Sequence, residues 1–120
     1  MARKYLQKGD TITFTNAGSA IAAGAVVAMN DLVGIADTDI AASTGTGSVS
    51  IEGCFEVTKI AGTAWNLGDS VDWDASAVAF GKGITPAAGD VLLCAVCIEA
   101  AAAGATTAKI KLTPGAGTGQ

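Results

Sequence analysis

Turn signals fall about every 8–12 residues along this chain, and the runs between them alternate apolar and polar side chains with a period of two. No stretch is left that could hold a helix of useful length. The expected fold is all-β: a single small barrel or sandwich of eight or nine short antiparallel strands, with long loops and little helix. Gly9-Asp10, Gly68-Asp69 and Gly89-Asp90 recur as strand openers. Glycine permits the turn there, and aspartate can accept backbone N–H bonds.

The stretch from Gly53 to Asp74 organises the rest. Phe55 and Val57 alternate with Glu56 and Thr58, the signature of a strand with one buried face, and the run closes on Lys59, read as a strand-end charge. Gly62 to Trp65 is too short for more than a turn or two of helix. After the turn Asn66–Asp69, Val71 and Trp73 point one way, while Ser70, Asp72 and Asp74 point the other and read as a solvated face. Only 5% of the residues are aromatic, so Phe55, Trp65 and Trp73 must supply much of the large-residue packing.

Elsewhere the alternation places Ile12 and Phe14 inward on Thr11 to Thr15, and Val49 and Ile51 inward after a polar loop from Thr38 to Thr46. Short strands are expected within Ala20 to Met29, at Asp31 to Ile35 and at Ala77 to Phe80. Val91 to Ile98 is apolar on both faces, as in a strand covered from both sides at the centre of a core or at a subunit interface. The last strand turns Ile110 and Leu112 in and Lys109 and Lys111 out. The domain division is a basic arm (1–9), a β domain (10–113) and a glycine-rich tail (114–120), linker-like and disordered by composition.

Seven basic and eleven acidic residues leave a net charge of −4, a poor match to a phosphate backbone, so nucleic acid is not an expected partner. Three of the seven basic residues, Arg3, Lys4 and Lys8, surround Tyr5 and Leu6 in the arm. Such a segment is either a frayed terminus or an arm that docks on an acidic neighbour. No apolar run approaches the roughly 20 residues of a membrane helix, and the first residues turn polar before a signal-peptide core could form. Synthesis in a cytoplasm is expected.

The absence of histidine excludes triads built on an imidazole base. Gly45-Thr-Gly47 lacks the features of a phosphate-binding loop. Cys54, Cys94 and Cys97 are odd in number and read as small buried side chains. Cys94-Ala-Val-Cys97 matches C-x-x-C without the helix N-terminus of a redox motif or the four ligands of a structural zinc. No metal, cofactor or catalytic residue is expected. Much of the apolar half of the chain is alanine, which buries little, so assembly would add to a small core.

GDTITFT near the start, DLVGIADTDI, EGCFEVTKIAGTAWNLGDSVDWDAS and CIEAAAAGATTAKIKL together resemble the phage capsid cement, or head decoration, proteins over roughly residues 4–112. The most specific part runs from Gly53 to Asp74; the glycine-rich tail departs from the pattern. The resemblance implies a non-enzymatic β-rich protein on the outer surface of an icosahedral phage head. It implies clamping of neighbouring major capsid protein subunits, often as trimers. On that reading Arg3, Lys4, Tyr5, Leu6 and Lys8 are capsid contacts. The competing class is a carbohydrate- or protein-binding β module that exposes Trp65 and Trp73 as stacking platforms.

Overall fold

The computed structural model describes residues 9–120, and these form ten strands and no helix. In chain order they are β1 (Thr11–Thr15), β2 (Val26–Met29), β3 (Leu32–Ala36), β4 (Thr46–Ser50) and β5 (Gly53–Thr58). Then follow β6 (Ser70–Asp74), β7 (Ala79–Gly81), β8 (Val91–Cys97), β9 (Thr107–Leu112) and β10 (Thr118–Gly119). One sheet has four strands in the order β1-β4-β3-β2; the other has six, in the order β5-β9-β8-β6-β7 with β10 beside β8. Every strand pairing is antiparallel. The architecture is all-β and sandwich-like rather than a closed barrel; one isolated parallel bridge, Lys59 to Phe80, ties the end of β5 to β7.

The chain passes between sheets through Ile51 and Glu52, and Gly53 makes the turn with φ +123°, a conformation that a side chain would strain. Beyond it the alternation holds as read: along β5 the even positions are exposed and the odd ones half-buried, and along β9 Ala108, Ile110 and Leu112 are buried while the lysines are exposed. Half-buried strands announce themselves in this way because each side chain meets one environment only.

Two apolar clusters result. Between the sheets, Val33 and Ile35 of β3 join Trp65, Trp73, Phe80, Val91, Ile110 and Leu112. Adjacent residues point to opposite faces, so Val27 of β2 sits in a second cluster with Ala36, Val49 and Ile40. Ile40 comes from the loop read as polar; it bridges to Ile21 and is 1% exposed, pinning that loop over the small sheet.

Two expectations change, and one is met in part. β8 is central, as expected, with β9, β6 and β10 as neighbours, but within the single chain its cover is incomplete: Leu93 is 52% exposed and has φ +55°. The strand expected from Ala77 starts at Ala79, because Val78 also takes a left-handed φ, +52°, and ends the turn there. The tail is not a disordered linker either. Thr118 pairs with Leu92 and Gly119 with Val91, the Gln120 N–H donates to the Asp90 carbonyl at 2.9 Å, and the Gly119 N–H donates to Asp31 Oδ1 at 2.6 Å.

The tail's glycines are there for close approach. A Cβ on Gly119 would lie 2.4 Å from the Asn30 carbonyl oxygen, and one on Gly117 would lie 2.4 Å from that of Asp31. The tail thus lies between β8 of one sheet and the β2–β3 turn of the other. Gly119→Ala is expected to cost about 1–3 kcal/mol through backbone displacement. Denaturant melts of the free protein check this, since a linker glycine would tolerate the change without loss.

Candidate functional site

The organising stretch builds its site around a buried cation. Lys59, read as a strand-end charge, is 2% exposed. Its backbone N–H donates to Thr106, and its Nζ reaches the carbonyls of Ile60, Ala103 and Ala105 at 3.2, 3.4 and 3.5 Å. The ammonium lies 5.4 Å from the centre of the Trp65 ring, within cation–π range. Trp65 in turn exchanges two backbone hydrogen bonds of 2.9 Å with Ala101. Strand end, tryptophan and alanine-rich loop are thereby locked together. Among the described residues, the Trp65 indole Nε1 is the buried side-chain donor left without a partner.

Both tryptophans are interior, Trp65 at 1% exposure and Trp73 at 6%. Trp73 packs edge-on against Phe80 with ring centres 5.1 Å apart. The stacking-platform alternative needs exposed rings and is overturned by this burial.

The carboxylates serve the backbone. Asp72 does not share a solvated face with Asp74. The register slips between Val71 and Trp73, Asp72 becomes buried, and its carboxylate accepts from the N–H groups of Leu93 at 2.7 Å and Ile84 at 3.4 Å. Asp90, also buried, accepts from Ala75 and Ala87, each at 2.9 Å. Asp74 caps its own turn. The Ser76 hydroxyl, followed by the Ala77 N–H, holds its carboxyl below the usual range. Asp69 is held low by the Asn66 N–H first and Lys82 second.

The cysteines divide. Cys94 and Cys97 are buried and free, as read, but Cys54 is exposed on the outer face of β5. Burial pushes the Cys94 thiol up to about 12. The folded protein therefore keeps a proton that the unfolded chain gives up near pH 9.0. That contribution to stability is complete below pH 9 and is lost as the pH rises toward about 12. Native alkylation at pH 8 is expected to label Cys54 alone, with Cys94 and Cys97 reacting only after denaturation; the count of labels by intact mass checks it.

Exposed apolar side chains are the remaining feature. Leu67, Val78 and Leu93 are 72%, 68% and 52% exposed. Val78 stands beside an open groove of about 380 Å³ between the sheets, which Phe55 and Val57 of β5 also line. The arm residues singled out from the sequence, Arg3, Lys4, Tyr5, Leu6 and Lys8, lie outside the described residues. The chain enters the fold at Asp10, whose carbonyl accepts the Ile51 N–H at 2.9 Å.

The fold and these side chains define a small two-sheet structural module, in which buried polar groups hold loops and apolar side chains are offered to the outside. Over residues 6–112 the sequence matches the phage cement proteins, and the chain belongs to that family. Searches of curated proteins and of solved structures returned no match. The family is structural and non-enzymatic, and membership implies association with a phage capsid as a component of the virion.

Proposed function

We propose that the protein decorates the outer surface of an icosahedral phage head, binding assembled major capsid protein as a homotrimer and stabilising the lattice without catalysis. The observation that carries this is the family match, which runs through nearly the whole β domain. Exposed Leu67, Val78 and Leu93 support it, since apolar anchors at the surface suit a protein that completes its burial by assembly. Arg3, Lys4 and Lys8, with Tyr5 and Leu6 between them, form an arm that reaches acidic coat subunits. Contacts of that kind weaken with salt, screened over about 8–10 Å, whereas apolar burial does not.

Added to undecorated expanded heads, the protein is expected to co-sediment with them and raise the temperature at which they rupture. Free coat monomers should bind far more weakly than the lattice, because the clamped geometry exists only after assembly. Equal affinity for monomer and lattice, or unchanged rupture, would overturn the reading. Removing residues 2–8 should abolish the salt-sensitive part of head binding, and unchanged binding would exclude the arm as a contact. Sedimentation of the free protein tests the trimer.

A further inference from the structure

The groove between the sheets is unfilled by the described residues, and its surroundings are those of a docking site. Val26, Ile35, Phe55, Val57, Trp73 and Val78 contribute to its walls. Phe55 and Val57 are only half-buried. β5 ends the order of its sheet, so its outer edge is bare among the described residues apart from the Lys59 bridge beyond it. Edges of this kind accept another extended segment. On the rim, Val78 is solvent-facing at φ +52°. A β-branched residue is held in that conformation at a cost of about 1–3 kcal/mol. Strain that presents an apolar side chain to water is more readily understood if something covers it.

The segment best placed to cover it is residues 1–8 of the same chain. Thr11 pairs with Ser50, and Ser50 with Ile35 of the groove wall. Two strand spacings, about 10 Å, separate the root of the arm from that wall, while the five steps from Thr11 back to Leu6 reach about 16–18 Å when extended. Charge agrees. Three of the seven basic residues and none of the eleven acidic ones lie in the arm, so the rest of the chain carries four positive charges against eleven negative. The one charged residue lining the groove, Glu56, stands on the exposed face of β5 opposite Lys109, so the complementarity is with the acidic chain as a whole.

We infer that in the free protein Tyr5 and Leu6 dock into this groove of their own chain. The inference stands apart from the capsid reading, since it concerns the protein without a head. Its bearing on that reading is that the arm must leave the groove before it can reach coat protein.

Cross-linking of the free, full-length protein tests it. In a Cys54→Ser background the two remaining native thiols are buried, so Leu6→Cys and Val78→Cys form a reporter pair. Leu6→Cys with Leu67→Cys is the control, Leu67 being exposed but outside the groove and at the opposite end of β6. At micromolar protein, a tethered arm with millimolar effective concentration favours intrachain over interchain pairing by about a thousandfold. The expected product of mild oxidation is an intrachain disulfide between positions 6 and 78, forming about tenfold or more faster than the control pair. Equal rates, no product, or a product that is interchain at this concentration would overturn the inference. Should a double variant fail to fold, deletion of residues 2–8 from the otherwise native chain serves instead. Fluorescence of a dye that binds exposed apolar grooves should then rise as Phe55, Val57 and Val78 lose their cover, and unchanged dye fluorescence overturns the inference.

Discussion

Trp65→Ala is expected to lower the stability of the free protein by about 3–5 kcal/mol, a fall in Tm of roughly 10–20 °C. The ring is the largest fully buried side chain in the described residues, it faces the Lys59 ammonium, and its backbone pairs with Ala101 of the alanine-rich loop. Alanines around a cavity have little side chain with which to collapse into it, which puts the loss in the upper part of the range. Trp65→Phe separates the contributions. It keeps an aromatic face for the ammonium and removes the unpartnered Nε1, so its cost should be about 1–2 kcal/mol. Urea melts of the three proteins measure the difference, and equal losses for both substitutions would show that packing volume alone does not account for the site.

Lys59→Glu should be the more damaging change. The side chain ends among three backbone carbonyl oxygens, all of them negative dipole ends. A carboxylate there would be buried without a donor, and breaking a buried charged arrangement in this way costs about 3–5 kcal/mol or more. A domain of ordinary stability has only about 5–15 kcal/mol in hand, so the variant is expected to be largely unfolded or insoluble. Lys59→Met keeps the aliphatic stem beside the tryptophan and adds no charge; it should fold, with a loss below that of Lys59→Glu. Circular dichroism at neutral pH decides between them, and a native spectrum with an unchanged melt for Lys59→Glu would mean that the ammonium site is not closed.

Much of the fold could be read from residue order, and the reason lies in which strands are half-buried. β5 and β9 alternate cleanly because each has one face toward the core, and the inward residues expected of them are the ones found there. Asp72 escaped the same reasoning because the extra β8 residues at the register slip, and the loop at Ile84, fold over it and bury it with its own donors. Lys59 escaped because its partners, Ala103 and Ala105, lie more than forty positions further along. A lysine closing an alternating strand carries no local mark of burial. The tail was misread for a related reason. Glycine favours both freedom and close approach, and only the β2–β3 turn, distant in sequence, decides which applies. The groove has no sequence signal of its own, since β2, β3, β5 and the β6–β7 turn bring its walls together.

The pairing of β5 with β9 carries a consequence for how the chain reaches this state. Its rungs run from Gly53 with Leu112 to Thr58 with Thr107, so each must close a loop of some fifty residues or more before it contributes anything. Topologies dominated by such distant pairings fold in milliseconds to seconds rather than microseconds. On the ribosome, β5 emerges long before its partner, and Phe55 and Val57 wait beside an open strand edge until nearly the whole domain has been made. The sheet that holds β5 can therefore close only once β9 has been made. A nascent chain interrupted before Thr107 presents a sticky strand instead of a partial domain, and the speed of synthesis relative to collapse governs how much protein is recovered in soluble form.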